Sequence, residues 1–321
     1  MQEIDSNKQA NGFDDEINLQ ELFFALVKGK WIITYATTIL VIIGIIYSFL
    51  QPNIYKSEAL LAPVDASSSL IGNGLSQFSG LAGLAGVTVS GDQGANHKKA
   101  IELMSSLNFF EKYLMPKIFL PDLMAVRSWD KEKNIIIYDD SIFQKNTNTW
   151  VRDFSYPQKL IPSAQESFKV FKDDHLNISK DNRTGHVSLS MEHQSPLIAK
   201  QWIQIIVEEV NFFYRLKDRE KSEKAVIYLN EQIANTVLLE IKQATASILE
   251  KEIQKLTLIE ANKDYVFEYV YPPSVMEEQT WPNRPLILIL SFVFGAILGI
   301  TIVLFRHYYS KEKNALNTIN N

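Results

Sequence analysis

The side chains of this sequence that could do chemistry are five histidines, at 97, 175, 186, 193 and 307, the pairs Asp139-Asp140 and Asp173-Asp174, and serines such as Ser163 and Ser195. A metal site needs three or four such donors converging on one point. His186 and His193 are seven apart on a predicted strand, which places them on opposite faces and too far apart to share an ion. Each aspartate pair could suggest metal-dependent sugar transfer, but both are bare of a supporting motif and read as solvated loop carboxylates. Neither serine sits in a GxSxG nucleophile elbow. The run Ser79 to Gly86 is rich in glycine, yet no Lys-Ser/Thr follows it, and Gly72-x-Gly74 has Gln77 where a dinucleotide fingerprint needs its third glycine. It reads as a mobile or closely packed surface segment. Asn177-Ile-Ser179 and Asn182-Arg-Thr184 match a glycosylation sequon, a frequent chance match. With no cysteine, thiolate metal sites, disulfides and thiol nucleophiles are excluded together. No enzyme activity, cofactor or metal is expected, so function has to come from architecture.

Composition narrows the architecture. The chain has 321 residues, a formal net charge of −5 and a pI near 5.7. A nucleic-acid binder would show a basic surplus, so that partner is not expected. A mean hydropathy of −0.07 is high for a chain with 21% charged residues, which implies clustered apolar residues.

The clusters lie at the two ends. Trp31 to Leu50 holds about twenty residues without a charge, enough at 1.5 Å per residue to cross the roughly 30 Å hydrocarbon layer. A cleaved signal peptide would be shorter, would not follow such a polar leader, and would end in a small-x-small site. Leu286 to Phe305 is apolar on every face, which a buried soluble helix rarely is. Lys28, Lys30, Arg306, Lys311 and Lys313 flank the outer sides of these segments, against Lys56 and Arg284 on the inner sides. The positive-inside bias therefore predicts a hairpin with both termini cytoplasmic. The expected division is a cytoplasmic segment 1–30, a span 31–50, an external domain 51–284, a second span 285–305 and a short tail 306–321. That tail is too short for a kinase or cyclase, and no P-loop pattern occurs, so output is expected from the external domain or the spans.

Within the external domain, 51–194 reads as a mainly α/β base. Tyr55 to Ala62 alternates as a strand, and Lys98 to Phe110 carries a helical pattern that Leu114-Met-Pro116 ends. Pro121 to Pro162 has no clear period and reads as short helices joined by loops. Asp174 to Ser179 and Gly185 to His193 alternate on either side of Asp181-Asn-Arg-Thr, a β-hairpin with polar turn chemistry. Tyr265 to Tyr271 alternates again, and Pro272-Pro273 stops it. These strands are expected in one small mixed sheet near the membrane.

Between hairpin and last strand, Leu197 to Tyr271 contains neither Gly nor Pro. Ser195-Pro196 offers an N-cap and a first-turn proline. Trp202, Ile205, Ile206, Val210, Phe213 and Tyr214 repeat at helical spacing. After a charged run, Lys217 to Lys224, the stripe resumes at Val226, Leu229, Ile233, Val237, Ile241, Ala244 and Ile248. The spacing predicts a long extended arm over 195–262, on the order of 90 Å if uninterrupted, whose stripe meets another helix from the same chain or a neighbour. The same residues would also serve a helical hairpin folded back near Lys217–Lys224. The fold class expected is thus α+β, with two transmembrane helices flanking a base and an arm.

Two features mark the second span. Pro282 and Pro285 set the angle at which it starts. Ser291, Gly295 and Gly299 recur every fourth residue, a small-xxx-small stripe suited to docking on the first span or on a partner protein.

Taken together these pieces resemble the Wzz-type chain-length determinants, the polysaccharide co-polymerases. The resemblance rests on Ile17-Asn-Leu19-Gln-Glu-Leu22 with Lys30-Trp31, the Gly80–Gly86 run, Ser195-Pro196-x-x-Ala199-Lys200-x-Trp202, Tyr228-Leu229-x-Glu231-Gln232, and Pro282-x-x-Pro285. It implies an inner-membrane protein of Gram-negative bacteria with a periplasmic base and helical arm. It implies a homo-oligomeric ring that sets O-antigen length in lipopolysaccharide, without catalysis of its own. Its implied partners are a Wzy-type polymerase and the growing polysaccharide or its lipid-linked form. The short tail places the chain with the branch that lacks a kinase domain. A ring of identical neighbours would cover an apolar arm stripe. The competing expectation is a periplasmic adaptor of an envelope polysaccharide or efflux export system, though such adaptors usually have one span.

Overall fold

The computed structural model describes residues 19–64 and 93–319, with side chains placed at 22–64 and 97–309. The Ser/Gly-rich run, Ile17-Asn18, Lys311 and Lys313 therefore lie outside what is described of side-chain structure. The fold is α+β, and the chain divides into two compact units. One comprises the residues through Gln51 together with those from Pro282 onward; the other is Pro52–Trp281.

The first unit begins with α1 (Leu19–Lys28), which the sequence reading had not assigned, and continues into α2 (Lys30–Leu50). Gly29 between them keeps a nearly helical backbone, donating to the Ala25 carbonyl and accepting from Ile33. The second unit opens with β1 (Tyr55–Pro63) and α3 (Gln93–Met104). After a three-residue helical turn, Leu107–Phe109, that widens into a π-turn at Phe110–Leu114, comes α4 (Leu120–Met124).

The region expected as short helices and loops instead forms two β-ribbons, β2 (Val126–Asp130) with β3 (Ile135–Tyr138) and β4 (Phe143–Gln144) with β5 (Thr149–Trp150). Their turns place Asn134 and Asn148 in the left-handed region, where Asn is among the few side chains tolerated. Asp139 accepts from the Ser141 N–H and hydroxyl, so this carboxylate closes its own turn.

Next come α5 (Ala164–Val170), capped by Ser163, and a π-turn at Phe171–His175, followed by β6 (Leu176–Lys180) and β7 (Val187–His193). Asp181 holds the connecting turn through the Arg183 N–H and the Thr184 hydroxyl, and Gly185 at φ 76° completes it. Then follow α6 (Pro196–Asn235), α7 (Leu239–Ala261), β8 (Phe267–Tyr271) and finally α8 (Arg284–Ile319).

The four predicted strands share one sheet in the order β6-β7-β1-β8. Every pairing in it is antiparallel, where a mixed sheet was expected. Tyr55, Ser57, Ala59 and Leu61 of β1 point inward, and the residues between them are partly or fully exposed, the period-two pattern of a one-sided sheet. That inner face packs on the first half of α6 through Ile198, Trp202, Ile203 and Ile206, with Phe109, Phe110 and Phe171 closing the core. Ile54 and Trp281 form an isolated bridge, tying the two ends of the unit together.

Candidate functional site

The candidate site is the pair of surfaces that could assemble. Among the described residues no group of three His, Cys, Asp or Glu side chains converges.

In the first unit, α2 and α8 are both long and apolar enough to cross a membrane. They pack through the small residues singled out above. A Cβ added to Gly295 would come 2.7 Å from the Thr37 Cα, and one added to Gly299 would come 2.7 Å from the Ile33 Cα. Gly44 of α2 faces Ser291 so tightly that a methyl group would overlap its side chain. Close backbone approach of this kind is how helices associate where the hydrophobic effect cannot drive them together. Ser291 and Thr37 donate their hydroxyls to carbonyls one turn back, Ile287 and Ile33, which satisfies both polar groups within the seam. Pro282 is buried and Pro285 occupies the first turn of α8. Asn283, which the sequence reading passed over, caps that helix by accepting from the Leu286 N–H at 3.2 Å. An Asn one residue before the charged start of an apolar run was the available signal.

In the second unit the arm differs from the uninterrupted helix expected. Its helix ends at Asn235, the chain reverses through Thr236-Val237-Leu238, and α7 returns beside α6. At 40 and 23 residues the two helices are about 60 and 35 Å long. The reversal is at 236–238, not at the charged run 217–224, where α6 passes straight through. No Gly or Pro marks it. Thr236 and Val237 are β-branched and poor helix formers, and doubling back lets two amphipathic faces bury each other.

The predicted stripe is thereby split. Val226, Leu229 and Ile233 are half-buried on α6, whereas Ile241 and Ile248 belong to the antiparallel helix and are exposed. Val237 sits in the turn and is 97% exposed. With Leu238, Leu239, Ile227 and Tyr228 it makes an apolar, solvent-facing tip and flank.

The arm is fastened at its root by polar contacts that the sequence reading missed. Asn211, buried in α6, accepts from the N–H groups of Val266 and Phe267 at 2.8 and 3.0 Å and donates to the Phe267 carbonyl at 2.9 Å. Tyr265 donates to Asp218 at 2.7 Å, and burial with that carboxylate alongside pushes the phenol well above its usual pKa. Arg219 bridges Glu223 on α6 and Glu260 on α7, at 2.8 and 2.9 Å. The expected N-cap is only half realised, since Ser195 starts α6 but its hydroxyl makes no capping bond. Its N–H goes instead to His193.

Residues 15–115, which run from α1 through the first span and β1 to the π-turn, match the family model described as Wzz, chain length determinant protein. Over that stretch the chain is similar to the Wzz chain-length determinants. Beyond that stretch the comparisons are structural. A full-length bacterial polysaccharide co-polymerase is similar at 14% identity and a TM-score of 0.42, over 92% of this chain and 99% of that one. A fragment of WzzB, a polysaccharide co-polymerase from Salmonella Typhimurium, is similar at 15% identity and a TM-score of 0.32, over 71% of this chain and all of the fragment. No curated protein matches the sequence.

Proposed function

We propose that this chain is a non-catalytic regulator of polysaccharide chain length, acting on O antigen as a homo-oligomeric co-polymerase beside a Wzy-type polymerase. In this reading it sits in the bacterial inner membrane with both termini cytoplasmic, and the Pro52–Trp281 unit faces the periplasm. The observation that carries the reading is the Wzz match over residues 15–115, in a chain whose two apolar helices bracket a single α+β unit. The exposed apolar residues of the α6–α7 hairpin support self-association, because a second copy is the surface always available to cover them. Seated against α2, the stripe Ser291, Gly295 and Gly299 would act by holding the two spans together, leaving their outer faces to a polymerase and lipid-linked polysaccharide.

The hairpin form of the arm also favours a second reading, an adaptor of an envelope polysaccharide or efflux export system. One experiment separates them. A lipopolysaccharide gel of deletion and complemented strains should show a modal ladder that collapses to a random distribution on deletion and returns on complementation. An unchanged ladder with a defect in export would favour the adaptor.

A further inference from the structure

Four elements meet at a pair of histidines, His193 buried and His175 partly so, that the proposed function does not use. His175 closes the π-turn before β6, His193 ends β7, Asp122 lies on α4, and Trp202 is in the second turn of α6. The imidazoles are 5.6 Å apart and nearly parallel, and the Trp202 ring stands edge-on to both, at 5.4 and 5.1 Å. His193 is 2% exposed.

Each hydrogen-bonding role follows from its partner. The Glu192 and Asp122 carbonyls can only accept, so His175 Nδ1 (2.6 Å) and His193 Nε2 (2.9 Å) carry hydrogens. The Ser195 N–H, 2.9 Å from His193 Nδ1, can only donate. His193 is therefore neutral, and its bare Nδ1 holds the residue from which the arm helix starts. A proton there would set two N–H groups face to face and put a charge in a site lined by another imidazole and an indole.

We propose that His193 and His175 form a proton-released latch: acidification breaks the Ser195–His193 bond and frees the start of α6 from the end of β7.

The charged groups around the pair act in different directions. Asp122 on α4 is engaged by the Tyr138 hydroxyl at 2.5 Å, and burial raises its own pKa. Asp174 in the π-turn and Glu192 on β7 favour a charged His175, as does the Leu123 backbone on α4; α6 contributes Trp202, which does not titrate. Burial outweighs them, keeping His175 below the usual imidazole range. For His193, burial, reinforced by the positive charge His175 can carry, brings the pKa down to about 4. Both histidines thus bind protons more readily when unfolded. The His193 contribution to stability is complete above about pH 6.5 and drains away as pH falls toward about 4, and that of His175 is lost in the same direction. The latch stands independently of the glycan reading.

The test uses the full chain in phospholipid nanodiscs. Histidine C2–H exchange read by mass spectrometry gives each imidazole's titration midpoint, and backbone amide exchange follows the peptide 193–199 against β1. The expected midpoint for His193 is below about 5, and the peptide should open at least about tenfold more readily at about pH 4.5 than at about pH 6.5. His193→Asn keeps an acceptor and a donor without titrating and should flatten that response. A His193 midpoint at about 6 or above, or an undiminished pH response in His193→Asn, overturns the latch. If His193→Asn does not fold, His175→Asn takes its place: losing the neighbouring charge must raise the His193 midpoint, and an unchanged midpoint overturns the latch.

Discussion

Gly299 of α8 is seated so close to Ile33 of α2 that a Cβ on the glycine would lie 2.7 Å from the isoleucine Cα. The obstacle is backbone, which cannot swing aside as a side chain can. Gly295 stands in the same relation to Thr37. Any larger residue at either position must push the helices apart along their length.

Gly295→Leu and Gly299→Leu are therefore expected to weaken pairing of the two helices by on the order of 1–2 kcal/mol and, under the proposed function, to broaden the O-antigen ladder. The protein should still reach the membrane, because the apolar length of each span is unchanged. A wild-type ladder in both variants, at equal protein level, would contradict a role for this seam in length control.

Asn211 offers a test of the arm's root. Asn211→Leu removes one acceptor and one donor that serve three backbone groups of Val266 and Phe267. Each buried group left without a partner costs about 1–3 kcal/mol, so chemical denaturation in detergent should show a loss of at least about 2 kcal/mol. A midpoint within about 0.5 kcal/mol of wild type would mean that water replaces the strap.

Charges on the hairpin should separate folding from assembly. Val237→Asp alters a fully exposed side chain and is expected to leave stability within about 0.5 kcal/mol while weakening self-association. Ile233→Asp alters a half-buried one and should lower both. The readout is cross-linking in native membranes beside a melting curve. Full-sized assemblies in both variants would refute the arm as an assembly surface.

Arg152 makes a further, local prediction. It donates to the Lys159 and Leu160 carbonyls and pairs with Glu166, gathering residues 152–160 into a closed loop. Arg152→Ala should cost about 1.5–3 kcal/mol and open that loop to proteolysis, whereas Glu166→Gln, which keeps one acceptor oxygen, should cost less. Equal protease resistance in wild type and Arg152→Ala would show that the loop holds itself.

The parts of this fold legible in the residue order are those set by local period. Twenty uncharged residues announce a span wherever they lie, and alternation at Tyr55 to Ala62, on both sides of Asp181, and at Tyr265 to Tyr271 marks all four strands of the main sheet. The ribbons of 126–150 escaped because their strands are only two to five residues long, too short for a period to register. The reversal at Thr236-Val237-Leu238 escaped because its warrant is a contact between two helices, not a turn residue.

Residue order was enough to establish two apolar helices, an antiparallel-capable set of strands and an amphipathic arm, because each depends on neighbours within a few positions along the chain. Which surfaces those elements spend on one another is a question of long-range contact. Folding brings Gly295 to Thr37, Asn211 to Phe267 and His193 to Asp122 and Ser195. It thereby turns a helix stripe into a seam, a lone amide into a strap and two scattered imidazoles into a stack. Spacing along a strand could place His193 on the inner face, but only the packed core removes the water that would otherwise let it titrate freely.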